Sequence, residues 1–361
     1  MDNWGVIAAS IVAILAVLVA LAVVDARMLP AAGRTRSLLL SLAFAATGVV
    51  MWLLLAPLVA PGVVGPLFLP IAGLAGVAAY LSTIVVRATG GTVVTTAVFG
   101  ILWSALVFVP VAVLTFTPFA ATWPVVVSPV DHGGSLVMNV ASGAAALGAL
   151  LAARKRGTRT ATIGLGAGVI GTAVLCLGWL GWLASVELAI DGATGAILLN
   201  GVIGALAGAV GWLAVQRLRH QSTSLAALAA GLVSGLVSVT AGAPLLTPIA
   251  AGVAGILAGA GACLFTLQRV MASRRQQWFI VGSHLIAGAI GIVTIGLLAT
   301  GMGYFYTGDT GVTFTGVFSL LERQVISTVL VAAYSTAVSF VLWCALKRIS
   351  RDRAVTLAVP A

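Results

Sequence analysis

Apolar residues run along this chain in long blocks, and polar or charged residues are confined to short breaks between them. The blocks fall at about 5–24, 37–60, 66–86, 94–117, 134–153, 161–186, 194–216, 224–240, 249–268, 278–300 and 316–346. A helix needs about 20 apolar residues to cross roughly 30 Å of hydrocarbon, so the pattern predicts eleven membrane-spanning helices and an all-α integral membrane protein.

The basic residues then set a direction. Arg27, Arg34 and Arg36 follow block one, Arg87 block three, and Arg154, Lys155, Arg156 and Arg159 block five. Arg217 and Arg219 follow block seven, Arg269, Arg274 and Arg275 block nine, and Lys347, Arg348, Arg351 and Arg353 block eleven. All lie on one side, which the positive-inside rule makes cytoplasmic, so the N-terminus is expected outside and the C-terminus inside. The opposite loops carry Asp131, Glu187, Asp191 and Asp309, and the one exception, Arg323, neighbours Glu322 at a helix end where it can pair or snorkel.

Composition agrees: 61% of residues are hydrophobic and 7% charged, against roughly a quarter charged in soluble domains. The formal charge of +10 would suggest a nucleic-acid partner in a soluble chain, but here its residues read as topology signals, so none is expected. Cys176, Cys263 and Cys344 lie inside apolar blocks without paired spacing, which predicts no disulfide and no metal site. No nucleotide loop or catalytic triad is legible, so neither an enzyme nor a cofactor is expected. Met1-Asp2-Asn3-Trp4 lacks a basic signal start, and the first block reads as a retained helix.

Eleven spans divide into two five-helix halves of inverted topology plus a terminal helix, a plan that places a pathway between the halves. The expected division is 1–155, 156–300, a last helix in 312–347 and a short cytoplasmic tail over 348–361. Within the second half, Val281-Gly282-Ser283-His284-Leu285-Ile286 puts an imidazole in a long apolar run. An intramembrane ionisable group is costly and marks a pathway by default. The matching stretch of the first half is Gly133-Gly134-Ser135-Leu136-Val137-Met138-Asn139, preceded by Asp131-His132. Small residues at three- or four-residue spacing, as in Gly204, Gly208 and Gly211 and again in Gly252, Gly255 and Gly259, permit close helix contacts.

Several short motifs recur in a telling order. They are Trp103 with Phe108-Val109-Pro110, Gly178-Trp179-Leu180-Gly181-Trp182, Asn200, Gly211-Trp212, Gly235-Leu236-Val237-Ser238-Val239-Thr240, Gly282-Ser283-His284, and Gln324 with Ser335. Together they resemble the Amt/Mep/Rh ammonium transporter family, over most of blocks three to eleven and weakly over the first two. The resemblance implies a homotrimer in the plasma membrane with one ammonium or ammonia pore per subunit. It also implies positions for the pore. The outer recruitment aromatic falls at Phe116 in place of the usual Trp; one of two stacked Phe gates falls near Ala75 and is lost, and the other falls at Trp182. The recruitment serine falls at Val186. The structural carboxylate falls at Asp131, although the segment to Gly133 is one residue short, leaving Val130 or His132 as occupants of that place.

Of the paired pore histidines, His284 is present and the other position holds Met138, a weak acceptor that carries no proton. Two imidazoles can relay a proton; one beside a thioether cannot, so poor charge conduction or passage of neutral ammonia is expected. Plainer readings stay open: His284 bonded to a backbone carbonyl, Met138 as gap filler, Trp182 as core, Glu187 and Asp191 as solvated loop charges. The departures at Ala75, Val186 and Met138 leave room for a transport-deficient sensor or assembly subunit, or a channel for another small neutral gas. The family's PII-type regulator is doubtful here, because no docking motif follows Lys347-Arg348.

Overall fold

The computed structural model describes residues 4–27, 31–117, 128–153, 165–268, 275–308, 311–314 and 318–358. The predicted basic positions Arg154, Lys155, Arg156, Arg159, Arg269 and Arg274, and the acidic Asp309, lie outside the described residues.

The apolar blocks become helices α1 (Trp4–Arg27), α2 (Ala31–Val59), α3 (Phe68–Ala88), α4 (Val93–Phe116), α5 (Ser135–Ala152) and α6 (Leu165–Ser185). They continue as α7 (Gly192–Leu218), α8 (Leu225–Thr240), α9 (Pro248–Thr266), α10 (Gln277–Leu298) and α11 (Ser319–Ala358). Among the described residues ten are long and apolar enough to cross a membrane. The remaining one, α8, has 16 residues and reaches only about 24 Å.

Polar residues at the breaks start the helices. Thr92 and Thr95 form a capping box on α4, and Asp191 accepts from the Ala193 amide at the start of α7. Thr247 caps α9 ahead of Pro248, whose missing N–H costs nothing in a first turn.

Two details add to the all-α plan. The chain is not purely helical: Phe305–Gly308 and Gly311–Phe314 pair as an antiparallel hairpin (β1, β2) before the last helix. Aromatic and β-branched residues flanking Gly308 and Gly311 suit a short strand pair. The residues expected to form the tail continue α11 as far as Ala358, giving a helix of 40 residues. No Gly or Pro interrupts the chain between Leu342 and Ala358, so nothing stops the helix.

Helix directions follow from the contacts. Ser335 Oγ donates to the Ala141 carbonyl, Thr336 to Ala144 and Lys347 to Ala152, so α5 and α11 run parallel. Helices α7 and α9 are also parallel and meet through small residues. A Cβ on Gly259 would collide with the backbone of Gly208, and one on Gly255 with that of Gly204. By contrast, α5 and α10 cross antiparallel: Gly143 abuts Leu285, and Gly288 abuts Val140 and Ser135.

Three helices are locally wound as π-helix, at Ser104–Phe108 in α4, Ser135–Val140 in α5 and Val281–Ile286 in α10. The α4 stretch has a visible cause. Pro110 cannot donate to the carbonyl four residues back, and the Tyr334 hydroxyl of α11 donates to that Leu106 carbonyl at 2.6 Å. The other two stretches contain no proline, and they carry Met138 and His284.

Candidate functional site

The motif residues sort into a framework and a set of loose ends. In the framework most of these polar side chains have a partner, although Asn200 Oδ1 and the Nε1 of the motif residue Trp212 have none among the described residues. Trp103 Nε1 donates to Ser335 Oγ at 3.2 Å, and Ser335 in turn donates to Ala141. Trp179 Nε1 donates to Thr240 Oγ1 at 3.0 Å. Asn200 Nδ2 reaches the carbonyls of Ala243 and Leu246, tying the turn after α8 to α7. Gln324 exchanges two bonds of 2.9 Å with the backbone of Val130, fixing α11 to the segment that leads into α5. Unsatisfied polar groups in lipid are costly, so these bonds explain why these residue types stand there.

That segment, Val130 to Gly134, is held on three sides. The His132 and Gly133 amides donate to the Ala241 and Thr240 carbonyls, and His132 Nε2 lies 3.1 Å from the Leu183 carbonyl. Burial pushes the His132 ring below its usual pKa, although the Leu183 carbonyl opposes the shift, so the ring is neutral at pH 7. Gly134, at φ +78°, makes the left-handed turn into α5 and packs against Leu74 and Phe116.

Asp131 then caps the π-helical start of α5, its Oδ2 accepting the amides of Leu136 at 2.9 Å and Val137 at 3.3 Å. Its Oδ1 is buried and has no partner among the described residues. Burial raises the carboxyl to about 7, and the amides of Val137, Ser135 and Leu136 only partly offset it. Val130 offers only its backbone, to Gln324, and His132 faces Leu183.

The other sequence-derived positions are distributed around this segment. Phe116 is half-buried beside Gly134, while Leu183, next in sequence to Trp182, faces Gly133. Trp182 is fully buried, its ring centroid 5.4 Å from that of Trp179, and its Nε1 donor has no partner among the described residues. Val186 is half-buried just past the end of α6, its amide bonded to the Trp182 carbonyl. Ala75 is buried where α3 presses on Gly48 of α2, and its neighbour Leu74 reaches Gly134. Glu187 Oε2 accepts from Thr194 Oγ1 at 3.4 Å beside Asp191, and its pKa is raised by partial burial and by that neighbouring charge.

Deeper along the helices, Met138 is fully buried on the α5 π-helix and His284 is 3% exposed on the α10 π-helix. Ser283 Oγ donates its single hydrogen to the Phe279 carbonyl at 2.8 Å and lies 2.8 Å from His284 Nδ1. With that hydrogen spent, the serine can only accept, which assigns the ring proton to Nδ1. Nε2 is therefore the acceptor nitrogen.

Sequence reasoning missed two features here. Asn139 Nδ2 donates to Ser135 Oγ at 3.3 Å and leaves its Oδ1 buried without a described partner, one residue from Met138. Leu74, rather than Ala75, supplies bulk against the α5 turn. The Asn inside an apolar block was a signal for the first; nothing in the sequence distinguished Leu74 from its neighbours.

Known proteins can now be set beside this geometry. The Ammonium Transporter Family matches residues 67–353. An ammonium transporter of Mycobacterium bovis is 30% identical over 260 residues, covering 68% of this chain and 54% of the relative. A putative ammonium transporter of Methanothermobacter thermautotrophicus is 31% identical over 249 residues, covering 67% of this chain and 59% of the relative. The chain thus aligns with little more than half the length of these curated relatives. Among solved structures, Mep2 of Saccharomyces cerevisiae superposes with a TM-score of 0.75 at 16% identity, covering 95% of this chain and 87% of the other. A structure titled Sensor Amt Protein gives 0.77 at 15% identity, covering 97% and 94%. These two likenesses establish the fold. The match over residues 67–353 establishes more: the chain belongs to the ammonium transporter family.

Proposed function

We propose that this protein carries ammonium across the membrane as neutral ammonia, through a narrow apolar pore with His284 as its single imidazole. The observation that carries this reading is the oriented histidine: Nδ1 faces Ser283, whose hydrogen goes to the Phe279 carbonyl, and Nε2 is left as the acceptor nitrogen in an apolar, buried setting. An ion entering such a lumen loses its hydration, whereas ammonia needs only a hydrogen-bond acceptor for one N–H. The family, and relatives whose names describe them as ammonium transporters, support the choice of substrate.

The cation is recruited near Phe116, where an aromatic face holds it more weakly than Trp would. It passes Trp182, sheds its proton and crosses beside His284. Val186 withholds the acceptor that a serine would offer, Ala75 leaves one gate layer absent, and Met138 supplies bulk without a proton path. Asp131 holds the turn that sets the start of α5. The two π-helical stretches, in antiparallel helices five spans apart, support two inverted halves meeting at the pathway. The N-terminus is outside and the C-terminus inside, the location is the plasma membrane, and three copies assemble with one pore each.

Proteoliposomes loaded with a pH-sensitive dye test the reading. An ammonium gradient produces faster internal alkalinisation than in protein-free vesicles; equal rates reject transport. The departures at Ala75, Val186 and Met138 favour a sensor or assembly subunit as the second reading, and equal rates would support it.

A further inference from the structure

Three helix ends meet where the chain enters α5. Helix α6 ends at Ser185, α8 ends at Thr240, and α5 begins at Ser135. A helix C-terminus leaves its last carbonyls without partners inside the helix, and a following glycine or asparagine commonly closes the turn. Neither follows α6 before Gly192. The turn runs instead through Leu188 at φ +59°, which is uncommon for a residue with a side chain. Local bonds satisfy only part of this end. The Val186 amide and Ser185 Oγ both donate to the Trp182 carbonyl, at 3.0 and 3.1 Å, and the Leu188 amide donates to that of Ser185 at 3.1 Å. The Leu183 carbonyl receives a side chain from another element, His132 Nε2 at 3.1 Å.

A carbonyl only accepts, so the nitrogen facing Leu183 carries the ring proton, and His132 stands in its Nε2–H form. His284 holds its proton on the other nitrogen, beside Ser283. The main chain of His132 also caps α8, its amide donating to the Ala241 carbonyl at 2.9 Å and that of Gly133 to Thr240 at 3.0 Å. One residue thus ties two helix ends to the start of α5. The joint has no slack, because a Cβ on Gly133 would collide with Leu183 Cδ2 and the Thr240 carbonyl.

Leu183 directly follows Trp182, the bulky residue of the proposed pathway. Trp182 is fully buried and its Nε1 has no partner among the described residues, so the indole N–H does not fix the ring. The ring stands where the last turn of α6 puts it, against Trp179, which is itself tied to Thr240. We infer that His132 is the positioning residue of the Trp182 gate: its Nε2–H bond to the Leu183 carbonyl locks the last turn of α6 to the α5 entry and so sets where the Trp182 ring stands. The inference rests on the reading that Trp182 lines the transport pathway, and in it His132 acts through the backbone rather than on the substrate.

Full-length protein labelled with fluorotryptophan and read by ¹⁹F NMR in detergent tests it. The chain has nine tryptophans, and Trp182→Phe assigns the signal of residue 182. His132→Leu keeps bulk and loses the donor; the Trp182 signal moves, and ammonia flux in proteoliposomes falls about fivefold, the effect of one lost hydrogen bond. His132→Gln restores an N–H donor and returns signal and flux to near the wild-type values, whereas a space-filling role would be rescued by Leu and not by Gln. Should His132→Leu fail to fold, ring ¹⁵N shifts read the wild type itself. Among its three histidines, the one lost in His132→Gln shows a protonated Nε2 and a bare Nδ1. An unmoved Trp182 signal in His132→Leu, a Gln variant no closer to wild type than Leu, a moved signal with undiminished flux, or a wild-type ring protonated on Nδ1 overturns the inference. A wild type without flux rejects the transport reading alone, and the ¹⁹F comparison still decides the positioning.

Discussion

The π-helical stretches of α5 and α10 share a backbone and differ in chemistry. Each is six residues long, each lies in a buried helix, and the two helices cross antiparallel through Gly143 and Gly288. Yet Val281–Ile286 presents an imidazole oriented by Ser283, while Ser135–Val140 presents a thioether in a helix capped by Asp131. The comparison teaches that the deformation does not depend on the histidine. Asp131, Gly134 and the close approach of α10 shape the α5 turn, and they do so with Met138 in place.

If the chemistry resides on one side, substitutions at the two positions must be unequal. His284→Ala is expected to slow ammonia flux in proteoliposomes roughly tenfold or more, the effect of losing one hydrogen bond in a dry lumen. Met138→Leu, which conserves volume, leaves flux within about twofold. Equal losses at both positions would break the asymmetry.

The cap on the α5 side makes a pH-dependent prediction. Asp131 sits in the folded state at about 7 against a usual 3.8, so folding favours its protonated form. The folded protein binds more protons than the unfolded chain between those values, and stability must fall as pH rises from about 4 to about 7. Thermal midpoints in detergent therefore decline over that window in the wild type. Asp131→Asn keeps an acceptor for the Leu136 and Val137 amides and removes this component of the slope. A slope identical in the variant would place the titration elsewhere.

A smaller effect separates orientation from chemistry on the α10 side. Ser283→Ala removes the acceptor from Nδ1 and leaves the imidazole in place, so flux falls only several-fold, consistent with the ~1 kcal/mol of one hydrogen bond. Ring ¹⁵N chemical shifts show a larger share of the other tautomer. A flux loss without any change in tautomer would assign Ser283 a packing role instead.

Much of this was legible in the sequence. Block length predicted the helices, and the small-residue spacing predicted close helix contacts without saying which helices meet; Gly204, Gly208, Gly255 and Gly259 make one of them, between α7 and α9. The isolated histidine marked its own stretch. The π-helical turns were not legible, because no residue type distinguishes one extra residue per turn from ordinary helix. Nor was the division between framework and loose ends. Trp179 and Trp182 look alike in sequence, and only packing shows that one indole N–H meets Thr240 while the other meets nothing described. The helical tail escaped notice because its charged residues read as the end of a span rather than as helix formers.

The central claim is that a single imidazole passes ammonia but cannot relay charge. Met138→His, measured by solid-supported-membrane electrophysiology beside dye-detected flux, tests it most directly. The wild type should move ammonia with little ammonium-evoked current, and the variant should gain a current that scales with protein content. A wild-type current as large as the variant's, or a variant current no larger than the wild type's, would contradict it.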